Sequence, residues 1–354
     1  MTSMREFITI AGRQIGAGQP CFVIAEAGVN HNGSLEMALR LVDAAKAAGA
    51  DAVKFQTFRA EEVVTANAPK AEYQKRTTGG DESQLEMIAK LELPPVAFAR
   101  LAEHCAAAGI VFLSTPFDFP SADLLEQLQV PAFKIPSGEI TNGPLLRHIA
   151  AKKKPLIMST GMADLGEVRE AVREVTAAGV DQLALLQCTS SYPAPPASVN
   201  LRAMKTLADA FKVPVGFSDH TEGIEVALAA VALGACVIEK HFTLDRSLPG
   251  PDQRSSLEPV ELDAMVRGIR KVEAALGSAA KSPATEELNT RDVARRSLVA
   301  ARALPAGTVL DESMIVIRRP GTGLPPNMLN KILGRRLKRA VESGALLASE
   351  MFES

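Results

Sequence analysis

From residue 21 to residue 276 the chain alternates between two periods. Short runs rich in Val, Ile and Phe recur: "CFVIAEAG" (21–28), "AVKFQTF" (52–58), "VFLSTPF" (111–117), "AFKIPSG" (132–138), "PLIMSTG" (155–161), "LALLQCT" (183–189), "VGFSDH" (215–220) and "CVIEKHF" (236–242). Half of them end in Gly or Thr, the others carry polar residues close to their last position or at it, and each is followed by an amphipathic stretch rich in Ala, Leu and Glu. Several of those stretches stop at a glycine, as in "AAKAAGAD" and "EHCAAAGI", where a left-handed helix cap is wanted. Continuous apolar strands alternating with helices imply parallel pairing. Eight βα units in about 255 residues match the size and count of a (β/α)8 TIM barrel, an α/β fold. A doubly wound open sheet competes. The barrel is preferred on the count, and because polar residues recur at the C-terminal end of nearly every run.

The flanking segments complete a domain plan. "FITIAGRQIGAGQ" predicts a small hairpin capping the barrel bottom. Segment 59–93 is too long for a simple βα connection, and long loops on a barrel's top usually serve the ligand. "GSAAKSPATEELNTRD" has no apolar period and suits a linker. The plan is a barrel domain with its hairpin over 1–276, a linker over 277–290, and a small, mostly-β domain over 291–354.

The strand ends carry the candidate chemistry. His220 and His241 end the seventh and eighth runs, so a barrel brings both above the packed core. Two readings stand there: a catalytic divalent metal site, or two hydrogen-bonded histidines without metal. Glu26 follows four apolar residues and is costly to bury without a cation or hydrogen bond. It reads as a metal neighbour or general acid/base, or as a structural carboxylate paired with a lysine. Asn30, His31 and Asn32 follow it. The next runs supply Lys54 and Gln56, then Ser114 and Thr115, then Lys134 and Ser137. Two lysines inside apolar strands favour a ligand carrying phosphate or carboxylate, unless each is only paired with Glu26 or Glu139. Ser159, Thr160, Thr189, Ser190, Ser191 and Tyr192 make a donor-rich wall suited to a hydroxylated substrate. Asp252 in "LPGPDQ" faces a ligand or closes a plain turn.

Composition narrows the classes. Hydrophobic residues at 47% and charged residues at 23% are ordinary globular values. A net charge of −2 argues against a general nucleic-acid or membrane-surface partner. From 291 onward eleven Lys or Arg face six Asp or Glu, a balance of +5 that leaves −7 for the rest; such asymmetry hints at two units and anionic ligands. The four cysteines lack CxxC spacing and read as buried, reduced thiols. No signal-peptide core opens the chain, and no apolar run approaches the roughly 20 residues of a membrane span. A soluble, cytoplasmic protein is expected. Without GxxxxGK[ST], GxGxxG or CxxC frames, nucleotide hydrolysis, dinucleotide redox chemistry and a structural zinc lack support.

"AEAGVNHNGS", "KFQT", "STPF", "KIPSGE", "STGM", "FSDHT", "EKHFT" and "PGPD" occur in this order on the eight units. Together they resemble the sialic acid synthase family, the N-acetylneuraminate synthases and their legionaminate-synthase relatives. Residues 291–354 are similar to that family's antifreeze-like (SAF, β-clip) domain. The resemblance implies condensation of phosphoenolpyruvate with an N-acylated mannosamine-type sugar, by C–O cleavage and phosphate release. The sugar would be N-acetylmannosamine or 2,4-diacetamido-2,4,6-trideoxymannose. By the same resemblance His220 and His241 ligate Mn2+ or Mg2+, and Lys54, Thr115, Lys134, Ser137, Ser190 and Ser218 bind phosphoenolpyruvate. Gln56, Tyr192 and Asp252 face the sugar, while Glu26, Lys54 and Lys134 act at the reacting centre. Arg319 in "RRPG" would reach across a domain-swapped homodimer to the partner's sugar. Two positions depart from the family pattern: Ser190 stands where some members have Asn, and Gln253 where many have His. Competing readings are another TIM-barrel aldolase or lyase, with Lys54 or Lys134 as a Schiff-base nucleophile, and a non-catalytic sugar-binding protein.

Overall fold

A hairpin of β1 (Phe7–Ile10) and β2 (Arg13–Gly16) leads the chain, with Ile8 opposite Ile15. Eight parallel strands follow: β3 (Phe22–Gly28), β4 (Ala52–Thr57), β5 (Val111–Pro116), β6 (Phe133–Ile135), β7 (Leu156–Ser159), β8 (Leu183–Cys188), β9 (Val215–Asp219) and β10 (Val237–His241). The computed structural model describes residues 4–353. In sheet order the strands run β5-β4-β3-β10-β9-β8-β7-β6, with β5 and β6 side by side at the seam. The eight predicted runs are thus the staves of a TIM barrel, and the open doubly wound sheet is set aside.

Strand alternation decides what each residue does. Phe22, Ile24, Ala52, Leu113, Ala132, Ile157, Leu186 and Val237 point into the barrel and pack on Ile8, Ile10 and Ile15, so the hairpin plugs the N-terminal end. The intervening residues, such as Val23, Ala25, Val53, Phe55 and Phe133, pack outward among the helices. Farther along, the same inward row turns polar near the C-terminal mouth, at Glu26, Lys54, Thr115, Lys134, Ser159 and Glu239. Gly49 and Gly109 end their helices at φ 77° and 70°, the left-handed conformation that the sequence pattern asked for.

Segment 59–93 is built of three short helices, Ala60–Val63, Glu72–Thr78 and Gln84–Ala89. Its own lock is buried Lys70, whose Nζ lies 3.0 Å from Glu82 Oε1 and donates to Thr78 Oγ1 and the Gly79 carbonyl. No helix among the described residues is long and apolar enough to cross a membrane. All four cysteines are free and buried.

The chain divides at Gly277 and Ser278 into two compact units. The second holds the antiparallel pair β11 (Ser297–Ala300) and β12 (Ile315–Arg318) over a core that includes Leu298, Leu304, Leu337, Leu347 and Phe352. A helix, Glu287–Ala294, begins inside the stretch expected to be featureless. It buries no residue, so no apolar stripe marks it in the sequence.

Candidate active site

The inward polar row meets over a cavity of about 450 Å3 at the C-terminal ends of the strands. Its floor is a buried cluster of two lysines and two glutamates. Lys54 Nζ lies 2.6 Å from Glu26 Oε2 and 3.8 Å from Glu239 Oε2, and donates to Thr115 Oγ1 at 2.9 Å. Lys134 Nζ lies 3.4 Å from Glu239 Oε1 and donates to Ser159 Oγ at 2.7 Å. Ser218 donates to Glu239 Oε1 at 3.1 Å. Burial, aided by Glu239 and opposed by Lys54, pushes the Glu26 carboxyl up to about 7. Burial also pushes Glu239 up, but Lys134 and Lys54 outweigh it and hold that carboxylate below its ordinary range. Burial lowers Lys134. Two carboxyls flanking one ammonium, shifted in opposite directions, suit general acid–base chemistry.

The two histidines converge, with ring centroids 5.4 Å apart. His220 Nδ1 sits 2.9 Å from the Thr189 carbonyl and donates to it, which leaves Nε2 as the lone-pair nitrogen. Cys188 Sγ lies 3.7 Å from the same Nδ1. His241 Nδ1 is buried with no hydrogen-bond partner among the described residues, and burial, then His220 and Lys54, hold this imidazole well below its usual value. An available imidazole pair with Glu26 and Asp252 at the same cavity is a donor set that suits a divalent cation. Among the described residues no group of three ligands is gathered in place, so an ion here would complete its shell from water or substrate oxygens.

Tyr192 stacks beside this pair, 4.2 Å from the His220 ring and 4.8 Å from Tyr73 of the 59–93 segment. The chain's only two tyrosines therefore meet at this cavity. Asp252 is buried, and burial pushes its carboxyl up to about 6 against His220. Its loop is tied down from β3. Gln253, fully buried, donates from Nε2 to the Asn30 carbonyl at 3.0 Å and accepts from Thr243 Oγ1. Ser256 Oγ donates to the Asp252 carbonyl at 2.7 Å and accepts from Asn30 Nδ2. On the other side, a Cβ at Gly161 would meet Ser190 Oγ and, at 2.8 Å, Ser137 Oγ. Only glycine lets those hydroxyls converge there.

Glu26, Lys54, Gln56, Thr115, Lys134, Ser137, Ser190, Tyr192, Ser218, His220, His241 and Asp252 all line the one cavity. Arg319 is exposed on the second unit and is not among the lining residues. Other expectations are corrected. Ser114 faces outward and pairs with Thr57 Oγ1 at 2.6 Å, because it alternates with inward Thr115. Thr160 donates to the Leu186 carbonyl. His31 lies outside the cavity, its Nδ1 accepting from Gly33, and burial lowers it to about 4. The carboxylate beside Lys134 is Glu239, not Glu139, whose side chain bonds Asn142. Glu239 was missed, yet the alternation that turns His241 inward turns Glu239 inward too.

Residues 41–281 match the NeuB family and residues 295–353 the SAF domain. The chain belongs to the NeuB family. It is 50% identical to an N,N'-diacetyllegionaminic acid synthase of Legionella pneumophila over 96% of each chain. It is 49% identical to one of Campylobacter jejuni over 88% of this chain and 94% of that relative. A crystal structure of the N-acetylneuraminic acid synthetase of Leptospira borgpetersenii overlays with a TM-score of 0.71 at 35% identity, covering 82% of this chain and 96% of the other. This NeuB-family chain is a nonulosonic acid synthase that condenses phosphoenolpyruvate with an acylated amino sugar, a carbon–carbon bond-forming transferase. The aldolase and sugar-binding alternatives gain no support.

Proposed function

We propose that the sugar is 2,4-diacetamido-2,4,6-trideoxymannose, giving a legionaminate-type product, and that the inward row performs the condensation. The observation that carries the assignment of roles is the buried Lys54–Glu26–Glu239–Lys134 cluster lying open to the cavity beside the histidine pair. Lys54 and Lys134, with Thr115, Ser137, Ser190 and Ser218, hold the phosphate and carboxylate of phosphoenolpyruvate through charge-assisted hydrogen bonds. Gln56, Tyr192 and Asp252 orient the sugar so that its aldehyde carbon faces carbon 3 of phosphoenolpyruvate. His220 and His241 would hold a divalent ion, Mn2+ or Mg2+, which when bound polarises the aldehyde oxygen. As the new carbon–carbon bond forms, positive charge builds on carbon 2, and the carboxylates of Glu26 and Glu239 face it across a low-dielectric floor. Glu26, with its carboxyl near 7, accepts a proton from the water that adds at carbon 2. That proton goes to the aldehyde oxygen, which becomes a hydroxyl; phosphate then leaves with cleavage of its bond to carbon 2 and takes the remaining proton of the water, and the ketone remains.

Arg319, exposed on the basic second unit, is proposed to reach the sugar bound by the partner in a domain-swapped homodimer. Sedimentation with and without Arg319→Ala, read beside the sugar KM, tests that arm. The central experiment follows phosphate release from phosphoenolpyruvate with each candidate sugar, with and without chelator. Release that needs the trideoxy sugar and stops with chelator is expected. Release that ignores sugar and chelator alike contradicts the proposal.

A further inference from the structure

The cavity has a second wall, chemically unlike its floor. Val29, Phe58, Val63, Ile88, Leu91 and Phe117 form a small apolar cluster separate from the barrel cores, and every member lines the cavity. Three of them come from segment 59–93, and Phe58 and Phe117 meet edge to face at 6.3 Å. Tyr73, Gln74 and Gln84 of that segment also line the cavity, but none belongs to the apolar cluster. Gln74 Oε1 accepts from the Ala71 N–H and from Gln84 Nε2, and the buried cation Lys70 is held by Glu82, Thr78 and Gly79 without lining the cavity. The lysines that do line the cavity, Lys54 and Lys134, belong to the floor. A hydroxyl or phosphate pressed against these six side chains would lose its water, and none of the six can donate a hydrogen bond or a charge in return.

We propose that this wall seats the end of the sugar farthest from the aldehyde and selects a deoxy, methyl-bearing carbon over a hydroxymethyl or phosphorylated one. The inference rests on the condensation proposed above: with phosphoenolpyruvate on the lysine floor and the aldehyde at the histidines, the apolar wall receives the far end of a six-carbon chain. A methyl group there gains contact with six apolar side chains, whereas a hydroxyl gains nothing and is dehydrated.

The test compares two sugars that differ only at carbon 6, N-acetylmannosamine and its 6-deoxy analogue, by phosphate release at saturating phosphoenolpyruvate; N-acetylmannosamine 6-phosphate serves as a third probe. The full chain is expected to prefer the 6-deoxy sugar in kcat/KM by about tenfold or more, and to use the 6-phosphate worst. Val63→Thr adds a hydroxyl at nearly constant shape, and Ile88→Thr adds one while removing the terminal methyl. Either is expected to narrow the preference by about tenfold, with the loss read in the KM of the 6-deoxy sugar. Two variants are used so that misfolding of one leaves the other, and the wild-type ratio needs neither. Turnover with equal kcat/KM for both sugars, or a ratio that survives both substitutions, overturns the specificity wall while leaving the condensation standing. No phosphate release with any of these sugars or with the trideoxy sugar sinks the condensation and the wall with it.

Discussion

The same strands bury two lysine–carboxylate systems, one on each face of the barrel wall. Outside, Lys240 Nζ lies 2.7 Å from Asp219 Oδ2 and donates to the Thr221 carbonyl at 2.6 Å, while Asp219 Oδ1 accepts from the Thr221 N–H and hydroxyl. Each charge is answered, and neither residue lines the cavity. Inside, Glu239 Oε2 and His241 Nδ1 have no hydrogen-bond partner among the described residues, and the cluster opens to the cavity. Both arrangements carry the cost of desolvating charge. The outer one is closed and serves the fold; the inner one opens to the cavity, where the Lys54 and Lys134 ammoniums can turn donors toward an anionic ligand.

The largest separation of the two systems comes from His241→Ala. Its turnover is expected to fall about 10³-fold, the scale of losing a main electrostatic contributor, with the unfolding transition nearly unmoved; steady-state phosphate release and calorimetry read both. Asp219→Asn should do the reverse. It leaves the Lys240 ammonium buried and unanswered, so unfolding free energy is expected to drop by about 3–5 kcal/mol, while kcat below the transition falls far less than in His241→Ala. Lys134→Met is expected to raise the KM for phosphoenolpyruvate by about 10- to 100-fold, the worth of one hydrogen bond to a charged group. Gln253→Ala loosens the loop that carries Asp252, and the sugar KM should rise about tenfold with the phosphoenolpyruvate KM unchanged.

The smallest effect concerns pH. Burial, opposed by Lys54 and aided by Glu239, raises the Glu26 carboxyl to about 7, so it is protonated below that pH and able to accept a proton above it. The kcat/KM is expected to climb as pH rises through 7 and then level. Glu26→Gln should be slow at every pH and lack this limb; a limb unchanged in that variant would assign it to another group.

Much of this was legible in the chain. The apolar runs mark the staves because both faces of a barrel strand are buried, and the polar ends of those runs delivered twelve of the cavity's residues. The polar end of a run does not face inward as a block. Ser114 and Thr115 are adjacent, so only one can face inward, and Ile24–Glu26 in β3 has the same parity as Val237–Glu239 in β10. The apolar wall was not legible as structure. Its helices are four to seven residues long, too short for a helical period to declare itself, and contacts such as Lys70–Glu82 hold them.

Phosphoenolpyruvate alone should bind the inner cluster through its two lysines. Thermal unfolding with the ligand at about 100 times its Kd is expected to gain about 2.7 kcal/mol, a rise of about 5 °C or more in Tm, in the wild-type chain and little in Lys134→Met. An equal rise in both proteins, or none in the wild type, would contradict the claim that this open lysine cluster is the phosphoenolpyruvate site.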